Sequence, residues 1–139
     1  MKTLKISELS KWCTDIVSSF EERQIVLLNG TLGAGKTELV KNFVQVLNAE
    51  SSSSPTFSLI NEYFHDSKKI YHVDLYRIKD AEDLESIGFW DLFEIEKGII
   101  FIEWPDRIGN DLWPRDWNKK YINIVKIEDD SVRNYEISD

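Results

Sequence analysis

An α/β fold is what this sequence predicts: a mixed, mostly parallel central sheet with helices on both faces and antiparallel hairpins. Three observations carry the prediction. Ile25-Val26-Leu27-Leu28 is a short apolar run, partly β-branched, of the kind that forms a buried strand. Leu39, Val40, Phe43, Val44 and Leu47 recur at the spacing of an amphipathic helix. Between them lies Gly30-Thr31-Leu32-Gly33-Ala34-Gly35-Lys36-Thr37, a complete G-x-x-x-x-G-K-[ST] motif in its strand-then-helix context. Residues 1–139 are read as one domain of the P-loop type, since no linker or internal repeat divides them.

The elements follow in order. Met1 to Ile6 reads as an edge strand, and Ser7 is placed to cap a first helix running to about Phe20 on the stripe Leu9, Trp12, Cys13, Ile16, Val17. After the P-loop helix, Ser51 to Ser54 and Pro55 form a breaker-rich loop. Ser58 to Tyr63 and Lys69 to Tyr76 read as a hairpin joined by His65-Asp66-Ser67-Lys68. Asp80 caps a short helix that Gly88 ends. Ile99-Ile100-Phe101-Ile102 is the most apolar strand of the second half and delivers Glu103 at its end. Tyr121 to Ile127 and Val132 to Ile137 form a closing pair.

Composition narrows the function classes. The net charge is −8, and the whole excess arises after residue 50, where eleven bases face nineteen acids. No stripe of Lys and Arg is present, which disfavours a direct grip on nucleic acid. No apolar run approaches the ~18 residues of a membrane helix, and the N-terminus lacks a signal-peptide layout, so a cytosolic protein without membrane attachment is expected. Cys13 is the single cysteine and falls on the apolar stripe of the first helix, which implies a buried small hydrophobe. A chain of this length has little room for a lid or effector domain, so catalytic parts borrowed from a partner are expected.

The motif residues match the needs of a triphosphate. Gly30, Gly33 and Gly35 permit a tight path and leave no Cβ between backbone and phosphate oxygens. With Leu32 and Ala34 they present backbone N–H groups at the start of the helix, where the partial positive charge gathers. Lys36 reaches the β- and γ-phosphates, and the Thr37 hydroxyl ligates Mg2+. Opposite the loop a carboxylate is needed at a strand end: Glu103 has the cleaner pattern, and Asp74 after Ile70-Tyr71-His72-Val73 is the second candidate. His72 shares a strand face with Asp74 and is placed to orient it or relay a proton. Arg77 and Arg107 follow the two acids closely, and Thr56 follows the Ser-Pro break in the manner of a switch-loop hydroxyl. The guanine-reading Asn-Lys-x-Asp pattern is absent, since Asn118-Lys119-Lys120-Tyr121 lacks the carboxylate.

Four blocks together resemble the TsaE family (formerly YjeE), small bacterial ATPases of tRNA threonylcarbamoyladenosine synthesis. They are the P-loop itself, Ser54-Pro55-Thr56-Phe57, His72-Val73-Asp74-Leu75-Tyr76-Arg77 and Ile102-Glu103-Trp104-Pro105. The resemblance implies ATP as ligand, bound by Leu32 through Thr37. It implies magnesium on Thr37 and Glu103, and catalytic or switch-like roles for Lys36, Thr56, Asp74 and Glu103. It further implies action with the TsaB and TsaD proteins, whose complex ATP turnover resets, with tRNA reached only through that complex. Three positions depart from the pattern: Thr31 where many members have Asp, Glu38 where a second Thr is common, and Trp113, which interrupts a frequent Leu-Pro.

Two other functions fit a P-loop. A small kinase needs a lid, for which Arg107 to Trp117 is the available segment. A nucleotide-dependent assembly factor needs bound ATP to order a surface, with hydrolysis incidental.

Overall fold

The computed structural model describes residues 1–51 and 59–139. One eight-stranded sheet organises them, with order β1-β8-β7-β2-β6-β5-β4-β3. The strands are β1 (Lys2–Lys5), β2 (Arg23–Gly30), β3 (Glu50–Ser51), β4 (Ile60–His65), β5 (Lys68–Asp74), β6 (Gly98–Glu103), β7 (Asn118–Lys126) and β8 (Val132–Ser138). The central four, β7-β2-β6-β5, run parallel, and the flanking pairs are antiparallel. A strand covered on both faces reads as a continuous apolar run, and residues Ile25 through Leu28 at the hub of the sheet are fully buried.

One face is covered by two packed helices, α1 (Leu9–Val17) and α2 (Lys36–Val46). Leu9, Trp12, Cys13 and Ile16 of α1 meet Leu39, Val40 and Phe43 of α2 over Val26, Leu28, Phe101 and Ile122. Phe43 stacks on Phe101 with ring centroids 5.1 Å apart. These rings contribute the large apolar areas that drive the layer together.

Among the described residues the opposite face has no long helix. It is closed by the short α3 (Ala81–Ser86), a 3-10 segment at Phe89–Glu94 and the irregular chain carrying Ile108, Trp113 and Trp117. Arg23 staples this layer to the start of β2: Nη2 donates to the carbonyls of Phe93 (3.1 Å) and Ile95 (2.9 Å), and Nη1 pairs with Asp116. Trp117 Nε1 donates to the same Phe93 oxygen at 3.1 Å. Gln24 is buried without penalty because its amide donates to Ile25 and Asn118 oxygens and accepts from the Glu21 N–H.

Local expectations held where local chemistry decides. The Asp80 carboxylate accepts the Asp83 N–H at 3.0 Å and caps α3, and Gly88 ends that turn at φ 73°. The first helix departs from expectation. Ser7 lies inside a 3-10 turn (Ile6–Glu8), the Glu8 carboxylate accepts the Lys5 N–H at 2.8 Å, and α1 stops at Val17. Ser18 and Ser19 hydroxyls bond carbonyls three residues back, which competes with further helix. Of the hairpin, β4 begins at Ile60 and runs to His65, because the turn tightens onto Asp66, at φ 53°, and Ser67.

Candidate functional site

The site is assembled at the C-terminal ends of β2, β5 and β6, where the parallel strands hand over to loops. Gly30 ends β2 so close to β7 that a Cβ there would meet the Ile124 oxygen at 2.9 Å. Gly33 and Gly35 take φ of 80° and 111°, a region only glycine occupies freely. Leu32 stands exposed at the loop tip while Ala34 is buried beneath it. Gly35 is the N-cap of α2, so the first turn of that helix, Lys36 to Glu38, points its free N–H groups toward the loop's interior.

Strand parity places the acids. Ile70, His72 and Asp74 alternate onto the α2 face of β5, as Ile99, Phe101 and Glu103 do on β6. Asp74 and Glu103 are register partners on neighbouring strands. Glu103 is 3% exposed. Its backbone is held on both sides, with its carbonyl accepting the Leu75 N–H at 3.1 Å and the next N–H reaching Leu28 at 3.4 Å. Its Oε2 accepts the Thr37 hydroxyl at 2.9 Å and the His72 Nε2–H at 2.5 Å.

Burial pushes the Glu103 carboxyl up, but the His72 hydrogen bond and charge, the Thr37 hydroxyl and the Lys36 charge outweigh it. The group therefore titrates below its ordinary value. Burial likewise pulls the Lys36 ammonium below its ordinary value, against the opposing fields of Glu103, Asp74 and Asp106. Lys36 Nζ donates to the Gly30 and Thr31 carbonyls at 2.6 and 3.1 Å and lies 4.0 Å from the Trp104 ring centroid. Trp104 adopts the left-handed conformation (φ 60°, ψ 50°), rare for a side-chain-bearing residue, and so turns out of the sheet immediately after Glu103.

Lys36, Thr37, Asp74, Tyr76, Glu103 and Trp104 line one cavity of about 320 Å3 beside the loop. A second cavity, about 220 Å3, lies on the other flank of Gly33 to Gly35, walled by Leu4, Leu9, Asn42, Arg133 and Tyr135. A third concavity, about 480 Å3, touches the loop only at Gly30 and Thr31 and includes none of these charged groups.

Of the residues singled out from sequence, Gly30, Leu32, Gly33, Ala34, Gly35, Lys36 and Thr37 form the loop, and Glu103 and Asp74 face it from the strand ends. Thr56 lies outside the described residues. His72 shares the face of Asp74 as expected but bonds Glu103, which the adjacent parallel strand β6 presents on that same face. Asp74 turns one oxygen to the Tyr76 N–H at 3.0 Å. The Arg107 guanidinium sits over the Tyr76 ring, 5.8 Å from its centroid, and Arg77 is exposed. The segment offered as a kinase lid is pinned to the second layer, with Ile108, Trp113 and Trp117 buried there. Sequence reasoning assigned no role to Trp104 and Tyr76, although both stand in motif blocks. Arg133 carried no local signal.

This is the fold of a P-loop NTPase, with its phosphate loop, lysine, hydroxyl and strand-end carboxylate brought to one point. Residues 3–135 match the family profile described as threonylcarbamoyl adenosine biosynthesis protein TsaE, and the chain belongs to that family. Among curated relatives named tRNA threonylcarbamoyladenosine biosynthesis protein TsaE, that of Aquifex aeolicus is 39% identical over 100 residues, covering 70% of this chain and 69% of the relative. The Rickettsia felis protein is 34% identical over 129 residues, covering 85% and 74%. For the Haemophilus influenzae protein the match is 43% over 88 residues, covering 63% of this chain and about half, 55%, of the relative's length. A solved structure described as "Crystal structure of Bacillus subtilus YdiB" superposes with a TM-score of 0.66 at 25% identity, over 99% of this chain and 86% of that one. Among the described residues no helix is long and apolar enough to cross a membrane.

Proposed function

We propose that this chain is a Mg2+-dependent ATPase subunit of tRNA threonylcarbamoyladenosine formation at adenosine 37, working in the cytoplasm with the TsaB and TsaD proteins and resetting their complex between cycles. The observation that carries the ATPase reading is the convergence of Lys36, Thr37 and Glu103 on one cavity beside the loop's N–H groups. Family membership carries the link to the tRNA modification.

On this reading Lys36 leaves the Gly30 and Thr31 carbonyls for β- and γ-phosphate oxygens, staying beneath the Trp104 ring. Thr37, Glu103 and Asp74 form an all-oxygen donor set suited to Mg2+, which keeps several waters and takes few protein ligands. Bound there, the metal neutralises charge on the phosphate oxygens. Glu103, kept ionised and fixed by His72, accepts hydrogen bonds from water near the γ-phosphate and orients it. The apolar walls of the second cavity, Leu4, Leu9 and Tyr135, seat the base on the other side of the loop.

ATP hydrolysis measured in single-turnover and steady-state modes, with and without TsaB and TsaD, tests the proposal. Stimulation by the pair is expected. A rate indifferent to them removes the partner-dependent part of the reading.

A further inference from the structure

We infer that Arg133, on β8, is a positioning residue for the phosphate loop, an inference that rests on the phosphate-binding reading of that loop. Its guanidinium joins three carbonyls. Nε–H donates to the Ala34 oxygen at 3.2 Å, and Nη1 donates to the oxygens of Asp130 (2.8 Å) and Val132 (2.9 Å). One planar group thus ties the middle of the loop to the β7–β8 turn, across a sequence separation of 99 residues. Lysine has no such fork.

What this does follows from peptide geometry. No peptide bond is cis among the described residues, so the Ala34 carbonyl and the Gly35 N–H lie in one plane and point in opposite directions. With the carbonyl held by Arg133, the Gly35 N–H is turned away from the hairpin. The glycines on either side of Ala34 take conformations that only glycine adopts freely, Gly35 at φ 111° and Gly33 at φ 80°. The Gly30 and Thr31 carbonyls are engaged by Lys36, and the Gly35 carbonyl by the Leu39 N–H. The Lys36 contacts must break when that side chain turns to a phosphate, whereas the Arg133 contact persists. Arg133 therefore preorganises one N–H donor of the loop from behind, and the entropy of ordering that donor is not lost on binding.

Calorimetry of Arg133→Gln and Arg133→Lys with ADP and with inorganic triphosphate, both with magnesium, tests this. Arg133→Gln should weaken both ligands by a similar factor, about tenfold, the scale of one charge-assisted hydrogen bond. Arg133→Lys should be nearly as weak although it keeps the charge. Restoration by lysine would assign the effect to charge alone and overturn the inference. Loss of ADP affinity with triphosphate binding unchanged would place Arg133 on the nucleoside and also overturn it, as would unchanged affinity for both. If Arg133→Gln does not fold, the solvent exchange of the Arg133 Nε–H in the wild-type chain decides: protection is expected, and free exchange in the folded protein refutes the contact. Failure of the wild-type chain to bind either ligand would instead remove the phosphate reading itself.

Discussion

Thr37 and Glu103, separated by 66 residues, are joined by one hydrogen bond: the Thr37 Oγ1 donates to Glu103 Oε2 at 2.9 Å. The bond ties the first turn of α2 to the end of β6. It couples the phosphate loop directly to the carboxylate opposite and so fixes the separation of the two halves of the site. His72 closes the arrangement from the adjacent strand.

Glu103→Gln keeps the shape of the side chain and removes its charge. Nucleotide affinity should stay within a few-fold of wild type by calorimetry, while single-turnover hydrolysis falls on the order of 10²-fold, the scale of a lost general base or water-orienting group. Equal loss of affinity and rate would place Glu103 in binding instead of chemistry.

Lys36→Ala should weaken ATP binding roughly ten- to hundredfold, since it removes a charge-assisted contact to phosphate. The same variant removes the Lys36 contacts to the Gly30 and Thr31 carbonyls, of which the Thr31 oxygen keeps the Ala34 N–H. Isothermal titration is the check, and unchanged affinity would contradict the site.

Acid should unfold the protein partly through Glu103. Its carboxyl is harder to protonate folded than unfolded, so its contribution is complete above the unfolded value, ordinarily 4.5, and is lost as pH falls through the lower folded value. Thermal melts should show Glu103→Gln less stable than wild type at neutral pH, with the gap closing in the acid range. A gap independent of pH would assign the difference to packing.

Cys13 is fully buried between α1 and the sheet, and burial pushes its thiol up to about 12. Only a thiolate reacts rapidly with disulfide reagents. Labelling at mildly alkaline pH should therefore be slow in the native state and become fast in denaturant, at the rate of global unfolding. Rapid native labelling would show that α1 lifts locally.

What was legible in the sequence is what local chemistry decides. The phosphate loop needs eight consecutive residues, and Glu103 follows an uninterrupted apolar strand, so both stood out. The Asp80 cap and the Gly88 stop were readable for the same reason. The partner of His72 was not, because it depends on β6 lying beside β5, a matter of strand order. The second layer escaped prediction as well: Phe89, Phe93, Trp113 and Trp117 pack edge to face along irregular chain with no period to detect. Ser7 looked like a cap by type, yet the adjoining Glu8 reaches the Lys5 N–H and shifts the helix start.

The strand order also sets a timetable. The two neighbours that hydrogen-bond β2 are β6 and β7, which begin at Gly98 and Asn118. A chain emerging from the ribosome presents the phosphate loop early but leaves the strand before it unpaired on both edges until those later segments appear. Closing such distant contacts is slow and comes late in folding. A chain that stops before β7 therefore leaves one edge of β2, and with it the strand that carries Gly30, without its parallel partner.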